Sequence, residues 1–216
     1  MTDDISTKIH DFFAQYNVRR YPKGQILLLN GDTPSTIYHL NKGQVKVYDI
    51  TYRGDEIILN VFKPPAFFPM SLVINHTPNP FIYEAETAIE LHEAPAEDVV
   101  AFIKANPDVM FDLLSRVYRG VDGLLGRMAQ LMSNSARSRL IYELLNESRR
   151  FGKAQPDGSH LLEINEKGLA ARAGLSRETV SREINKLKSE GLISIETKHI
   201  RLTDVTVLQQ KLGQDT

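Results

Sequence analysis

Arg177, Glu178, Ser181, Arg182, Asn185 and Lys188 fall within one short stretch, at spacings that a helix would gather on one side. At about 100° per residue they spread over one face, while Val180, Ile184 and Leu187 form an apolar stripe opposite them. One face can dock on a core and the other is left to touch something outside. The residue types are those that read base edges. An arginine fork bridges guanine O6 and N7, a glutamate accepts from cytosine N4, and a serine hydroxyl reaches a base or a phosphate. The quartet Arg177, Glu178, Ser181 and Arg182 therefore has the donors and acceptors for reading the major groove of double-stranded DNA. Any amphipathic surface helix shares part of this pattern, so the weight falls on what flanks it.

The flanks mark a helix that is held in place. Ser176 is a good N-cap, Glu178 sits in the first turn where negative charge suits the helix dipole, and Gly191 supplies a C-terminal stop. Upstream, Asn165 can cap a first helix running to about Arg172 with Leu169 and Ala173 inward. Ala173-Gly174-Leu175 is then the small-Gly-apolar turn of a helix-turn-helix. Downstream, Leu192 to Ile195 and His199 to Leu202 alternate around Glu196-Thr197-Lys198, which reads as a short hairpin, or wing, with Lys198 placed for a phosphate. The expectation is a winged helix-turn-helix.

The segment Leu175-Ser-Arg-Glu-Thr-Val-Ser-Arg182 resembles the recognition motif of the cyclic-AMP receptor protein/FNR superfamily of bacterial transcription regulators. Arg177, Glu178 and Arg182 match the Arg-Glu-x-x-x-Arg set of one branch; Glu178, Ser181 and Arg182 match the Glu-x-x-Ser-Arg set of the other. The resemblance extends over nearly the whole chain and implies a homodimer on a palindromic site whose half-sites contain TGA.

Composition sets the outer bounds. With 216 residues and 42% hydrophobic content the chain can build one or two real cores. No stretch approaches the ~18 continuous apolar residues of a membrane helix, and the start Met-Thr-Asp-Asp is no signal peptide, so a cytoplasmic protein without membrane contact is expected. The chain has no cysteine, which excludes disulfides, thiolate zinc and cysteine-held iron-sulfur clusters, and with them the redox chemistry of the FNR branch. Residues 1–136 carry 12 Lys/Arg against 16 Asp/Glu, and residues 137–216 carry 14 against 11. The basic half is the half with the reading helix. His39, His76 and His92 are dispersed, no His-x-His occurs, and there is no nucleophile elbow, P-loop or dinucleotide fingerprint. Neither an enzyme nor a metal site nor a cofactor is expected.

The first ~100 residues read as short strands, among them Gln25–Leu29, Thr36–Leu40, Gln44–Ile50 and Glu56–Phe62, separated by turns at Gly24, Gly31, Gly43 and Gly54. Even spacing with glycine turns argues for a compact antiparallel jelly roll, and this spacing resembles the cyclic-nucleotide-binding β-roll. Nucleotide-binding members of that family hold ribose and cyclic phosphate with a Gly-Glu pair and an Arg-Ser pair. Here the matching stretches are Phe67-Phe68-Pro69-Met70-Ser71 and Asn79-Pro80-Phe81-Ile82-Tyr83, with neither pair. A buried phosphate without an arginine is strongly disfavoured, so cyclic AMP is not the expected effector. Phe62, Phe67, Phe68, Met70, Phe81 and Tyr83 either line a pocket for an apolar or aromatic small molecule or simply fill the roll. Leu124 and Leu125 stand where the cyclic-AMP branch places polar contacts to the base, which points the same way.

From Asp108 to about Asn134 there is no proline. Phe111, Leu114, Tyr118, Val121, Leu125, Met128 and Met132 follow at spacings of 3, 4, 3, 4, 3 and 4, a heptad seam for a second subunit. At about 1.5 Å per residue such a helix runs about 40 Å. A second stripe, Leu113, Val117, Leu124 and Leu131, lies beside it for the chain's own roll. Ser133-Asn-Ser-Ala136 is a small polar break, and helical periodicity resumes through Leu140, Ile141, Leu144 and Leu145. Gln155-Pro-Asp-Gly158 resembles the surface loop that some family members present to RNA polymerase.

The expected organisation is α+β: a β-roll sensor over 1–105, a dimerisation helix and hinge over 106–134, and a winged helix-turn-helix over 135–216. Two other readings stand beside it. One is a constitutive regulator whose roll only dimerises; the other is a metal enzyme built on the roll. A haem held by histidine or a backbone nitrogen has no positive sign in the sequence.

Overall fold

The computed structural model describes residues 2–52, 54–133, 135–196 and 199–214. Of the candidates above, Lys198 and the side chains of Leu131 and Met132 lie outside the described residues. Contacts divide the chain into two compact units, residues 1–117 and 118–216.

The first unit opens with helix α1 (Thr2–Phe13) and continues through β1 (Val18–Tyr21), β2 (Ile26–Leu28), β3 (Thr36–Lys42), β4 (Val45–Ile50), β5 (Glu56–Phe62) and β6 (Ala66–Phe68). The short helix α2 (Met70–Asn75) leads to β7 (Ile82–Ala85), β8 (Ile89–Pro95) and α3 (Ala96–Ala105). The strands form two antiparallel sheets of order β1-β8-β3-β6 and β2-β7-β4-β5. Alternate residues point to opposite faces of a strand, so Leu40, Phe68 and Leu91 of one sheet meet Leu28, Val47 and Tyr83 of the other in a shared core. The opposite face of the first sheet is covered by helices: Ile37, Phe67 and Ala94 pack with Ile9 and Phe13 of α1 and with Val99 and Ile103 of α3. Gly43 makes the tightest turn. Its φ is +85°, and a Cβ there would collide with the Ala88 carbonyl.

Helix α4 (Pro107–Ser133) begins with proline at its first position, where no amide partner is lost. It runs unbroken through Gly120, Gly123 and Gly126. Phe111, Leu114, Tyr118, Val121, Leu125 and Met128 are between 42% and 68% exposed, so the heptad forms an apolar stripe on the surface of the single chain. The second stripe divides: Leu113 packs into the helix-covered core of the first unit, while Val117 and Leu124 are exposed.

The second unit continues with α5 (Ala136–Phe151), β9 (Lys153–Ala154), β10 (His160–Leu162), α6 (Glu166–Ala173), α7 (Arg177–Ser189), β11 (Ile193–Glu196), β12 (His199–Leu202) and α8 (Val205–Gln214). Its sheet has the order β11-β12-β10-β9. One core joins Leu140, Ile141 and Leu144 of α5 to Leu169, Val180, Ile184, Leu187 and Leu202. Ser135 caps α5 by accepting from the Ser138 amide at 3.2 Å. Tyr142 lies against the far part of α4, where its hydroxyl donates to the Gly123 carbonyl at 3.0 Å; a Cβ on Gly126 would strike that hydroxyl.

Candidate nucleic-acid interface

Helix α7 is placed by a short turn held at both ends. Asn165 accepts from the Gly168 amide at 2.8 Å and starts α6. Gly174 ends it in the left-handed conformation at φ +61°, as the small-Gly-apolar turn requires. Arg139, reaching from α5, donates to the carbonyls of Ala173 at 2.7 Å and Gly174 at 2.6 Å. A Cβ at 174 would meet only the end of that flexible guanidinium, so it is the positive φ that calls for glycine here. Ser176 then caps α7, accepting from the Thr179 amide at 3.1 Å.

From that start, 3.6 residues per turn divide α7 cleanly. Val180, Ile184 and Leu187 are fully buried, while Arg177, Glu178, Arg182, Asn185 and Lys188 are exposed and Ser181 is partly so. The exposed side chains cover an arc of about 140°. Glu183, beside the buried stripe, is itself buried and accepts from Lys186 at 2.9 Å and, more loosely, from Arg182 at 3.4 Å. Burial raises its carboxyl, and the two cations beside it outweigh that and hold it below the usual range. Arg182 keeps 65% of its side chain exposed, so this pair leaves the guanidinium fork available to a groove.

The hairpin expected after α7 is β11 and β12, which pair antiparallel from Ile193↔Leu202 to Glu196↔His199. Arg201 ties it to the preceding loop. It donates to Glu196 at 2.6 Å and to Ser159 at 2.7 Å and meets Asp157 at 3.4 Å. Asp157 also accepts from the Ser159 amide at 3.0 Å, so Pro156, Asp157 and Gly158 are presented as an ordered, exposed turn.

The aromatic candidates of the first unit are not brought into one lining. Phe62, Phe68, Phe81 and Tyr83 belong to the core between the sheets, where the Phe68 ring stacks on Phe62 at 4.8 Å and on Tyr83 at 5.8 Å. Phe67 and Met70 belong to the helix-covered core on the other side. Phe67 and Phe68 are adjacent in one strand and must point apart. Leu124 and Leu125 are exposed on α4 in the second unit. Asn79, in the stretch that would face a phosphate, is buried and gives its amide to the Leu29 carbonyl at 2.7 Å while accepting from the Phe81 amide at 3.1 Å. It serves the backbone.

Sequence reasoning missed the charged residues that hold the reading helix from behind. Arg139 is one. Arg172 of α6 pairs with Glu147 of α5 at 3.1 Å, both nearly buried, and Arg137 pairs with Glu190 past the end of α7 at 2.6 Å. Glu143, also buried, takes Arg127 of α4 at 3.1 Å. The signal available was the run of Glu143, Asn146, Glu147, Arg149 and Arg150 in α5, which by residue type alone looks solvated. Among the described residues no cluster of histidine and acidic side chains could hold a metal, and no helix is long and apolar enough to cross a membrane.

Comparison with known proteins matches residues 18–106 to the model of the cyclic nucleotide-binding domain and residues 138–211 to that of the Crp-like helix-turn-helix domain. The global nitrogen regulator of Synechocystis sp. (PCC 6803) is 29% identical over 90% of this chain and 88% of its own length. The cAMP-activated global transcriptional regulator CRP of Salmonella typhimurium is 27% identical over 88% of this chain and 90% of its own. Among solved structures, a CooA mutant from Carboxydothermus hydrogenoformans superposes with a TM-score of 0.78 at 21% identity, covering 94% of this chain and 90% of that one. A transcriptional regulator of the CRP/FNR family from Thermus thermophilus gives 0.72 at 22% identity, covering 93% of this chain and all of the other.

Proposed function

The chain belongs to the Crp/Fnr superfamily of transcription regulators, and from that premise we propose that it is a cytoplasmic homodimer that reads a palindromic DNA site with TGA-containing half-sites. The observation that carries this reading is the exposed arc of α7, in which Arg177, Glu178, Ser181 and Arg182 stand clear of a buried apolar stripe. Arg177 and Arg182 are assigned to guanines, Glu178 to a cytosine amino group, and Ser176, Asn185, Lys188 and Lys198 to phosphates and flanking edges. The second subunit is assigned to the exposed stripe of α4, from Phe111 to Met128 and on to Met132. An apolar seam of that length is costly to leave in water and self-complementary across a two-fold axis. A two-fold dimer then sets its two reading helices about 34 Å apart, one helical turn of DNA.

The effector we assign is a small molecule other than cyclic AMP. Two of the relatives named above are, by name, a cAMP-activated and a nitrogen regulator, yet here the phosphate stretch carries Asn79 and Phe81 where an arginine would be needed. The stacked Phe62, Phe68 and Tyr83 support a second reading, in which the roll is a packed scaffold and the regulator is constitutive. The ordered turn at 156–158 is assigned to RNA polymerase. Catalysis has no place in either reading.

Selection from a random DNA pool tests the proposal. The wild type should recover a palindrome containing TGA. Arg182→Ala should relax one base pair of each half-site at a loss of about 1 to 3 kcal/mol in affinity. A non-palindromic motif, or unchanged base preference in Arg182→Ala, would remove α7 from the interface. The dimer is checked separately by light scattering, where Leu125→Lys should give a monomer because it places a charge in the seam.

A further inference from the structure

The first unit contains a cavity of about 750 Å³ against the helix-covered face of its first sheet, in the size range of small-molecule sites. Phe67 and His92 point to this face, away from the roll interior filled by Phe68 and Tyr83. Ile9, Val18, Phe67 and the Pro64-Pro65 pair give it an apolar wall.

The charges at its rim are already engaged. Arg116 donates to Asp112 at 2.7 Å and to the Pro65 carbonyl at 2.9 Å. Glu90 accepts from Arg20 at 2.9 Å and pairs with Lys42 at 3.3 Å. An anion would have to displace Asp112 from Arg116, and a cation would have to displace Arg20 or Lys42 from Glu90. What the cavity offers is imidazole. His92 must donate through Nδ1 to the Tyr16 carbonyl at 2.9 Å, since a carbonyl only accepts, and the tautomer that does so with a single ring proton has its lone pair on Nε2. His39 stacks on Phe13 with centroids 4.5 Å apart and lies 6.3 Å from the His92 ring, and its Nδ1 has no hydrogen-bond partner. Burial first, then the neighbouring His92 and His10, push its pKa down to about 4, so at neutral pH it is an uncharged ring.

We infer that this cavity is a second small-molecule site, outside the roll, for a flat uncharged ring bearing one O–H or N–H donor, of the phenol or indole type. The ring would lie on Phe67 and the prolines and the donor would meet Nε2 of His92, with the buried His39 ring behind it. Such a site belongs wholly to the first unit and stands whether or not α7 reads DNA.

The test follows the imidazole nitrogens of the 15N-labelled full-length protein by NMR during titration with phenol, toluene and benzoate. Phenol should shift His39 and His92 saturably, toluene should bind about tenfold more weakly for want of a donor, and benzoate should not bind. Val18→Trp, at a rim position about half exposed, should block the response. His92→Phe, which keeps a ring and removes the acceptor, should abolish the preference of phenol over toluene while leaving the cavity open. No saturable movement of either histidine overturns the assignment. So does equal affinity for toluene in the wild type, tighter binding of benzoate, or phenol binding that survives Val18→Trp.

Discussion

In the second unit Arg177, Ser181 and Asn185 share one face of α7, although each is four residues from the next. In the first unit Phe67 and Phe68 are neighbours in β6, yet each is buried in a different core on opposite sides of a sheet. A helix gathers residues spaced by three and four, whereas a strand separates each residue from its neighbour. A site carried on one helix is therefore assembled by local geometry alone. A site carried on strands exists only once the register of several strands is fixed, and chain proximity there counts against shared function. The difference also divides the two units by what their notable side chains do, since those of α7 face out and those of β6 are core.

That division can be broken most forcefully at Phe68. It is 1% exposed and stacked between Phe62 and Tyr83, so Phe68→Ala should destabilise the protein by about 3 to 5 kcal/mol, read as a fall in thermal or denaturant midpoint. Arg182→Ala, on the outward arc, should leave that midpoint within about 0.5 kcal/mol of wild type while altering DNA recognition. If the two variants lost stability alike, the contrast between core and reading face would fail.

The next effect is acid sensitivity of the first unit. The folded pKa of His39 is about 4, below the ordinary 6.5, because burial and then His92 and His10 disfavour its charged form. A group depressed in this way stabilises the fold above pH 6.5, and the benefit is lost as pH falls from 6.5 through 4. Its size is about 3 kcal/mol over that window. Chemical denaturation at pH 7 and pH 4.5 should show the loss, and His39→Phe, which keeps the stacked ring, should remove most of it.

The smallest effect sharpens the other side of the comparison. Ser176→Ala removes the cap that starts the reading helix and should cost about 1 kcal/mol, with a larger proportional loss of DNA affinity than of stability. Ser176→Asp should restore the midpoint.

What was legible in the sequence follows the same physics. Asn165, Gly174 and Ser176 mark the helix-turn-helix because caps and left-handed turns depend on one or two residues, and α6 and α7 begin and end at those marks. The alternation after Gly191 gave the wing for a similar reason. The strands β3, β4 and β5 were legible from their patterning and glycine turns. By contrast, α1, β1 and α3 carry too little local signal to announce that they close one face of the roll. The aromatic set at 62–83 looked like one lining because the chain is read in line and a sheet is folded in register. The buried ion pairs of α5 were hidden more deeply. Glu143 and Glu147 are polar by type, and only the approach of Arg127 and Arg172 from other helices makes them interior residues.

The fit of Tyr142 into the notch at Gly123 and Gly126 makes the far half of α4 and helix α5 a geared pair. Turning α4 about its own axis would drag the phenol sideways, and α5 would have to turn with it or give up the bond. Three residues back along α5, Arg139 grips the corner from which the reading helix departs. Tyr142 and Arg139 thus stand one turn apart on α5, so the helix that meets the far part of α4 is also the helix that holds the corner before α7.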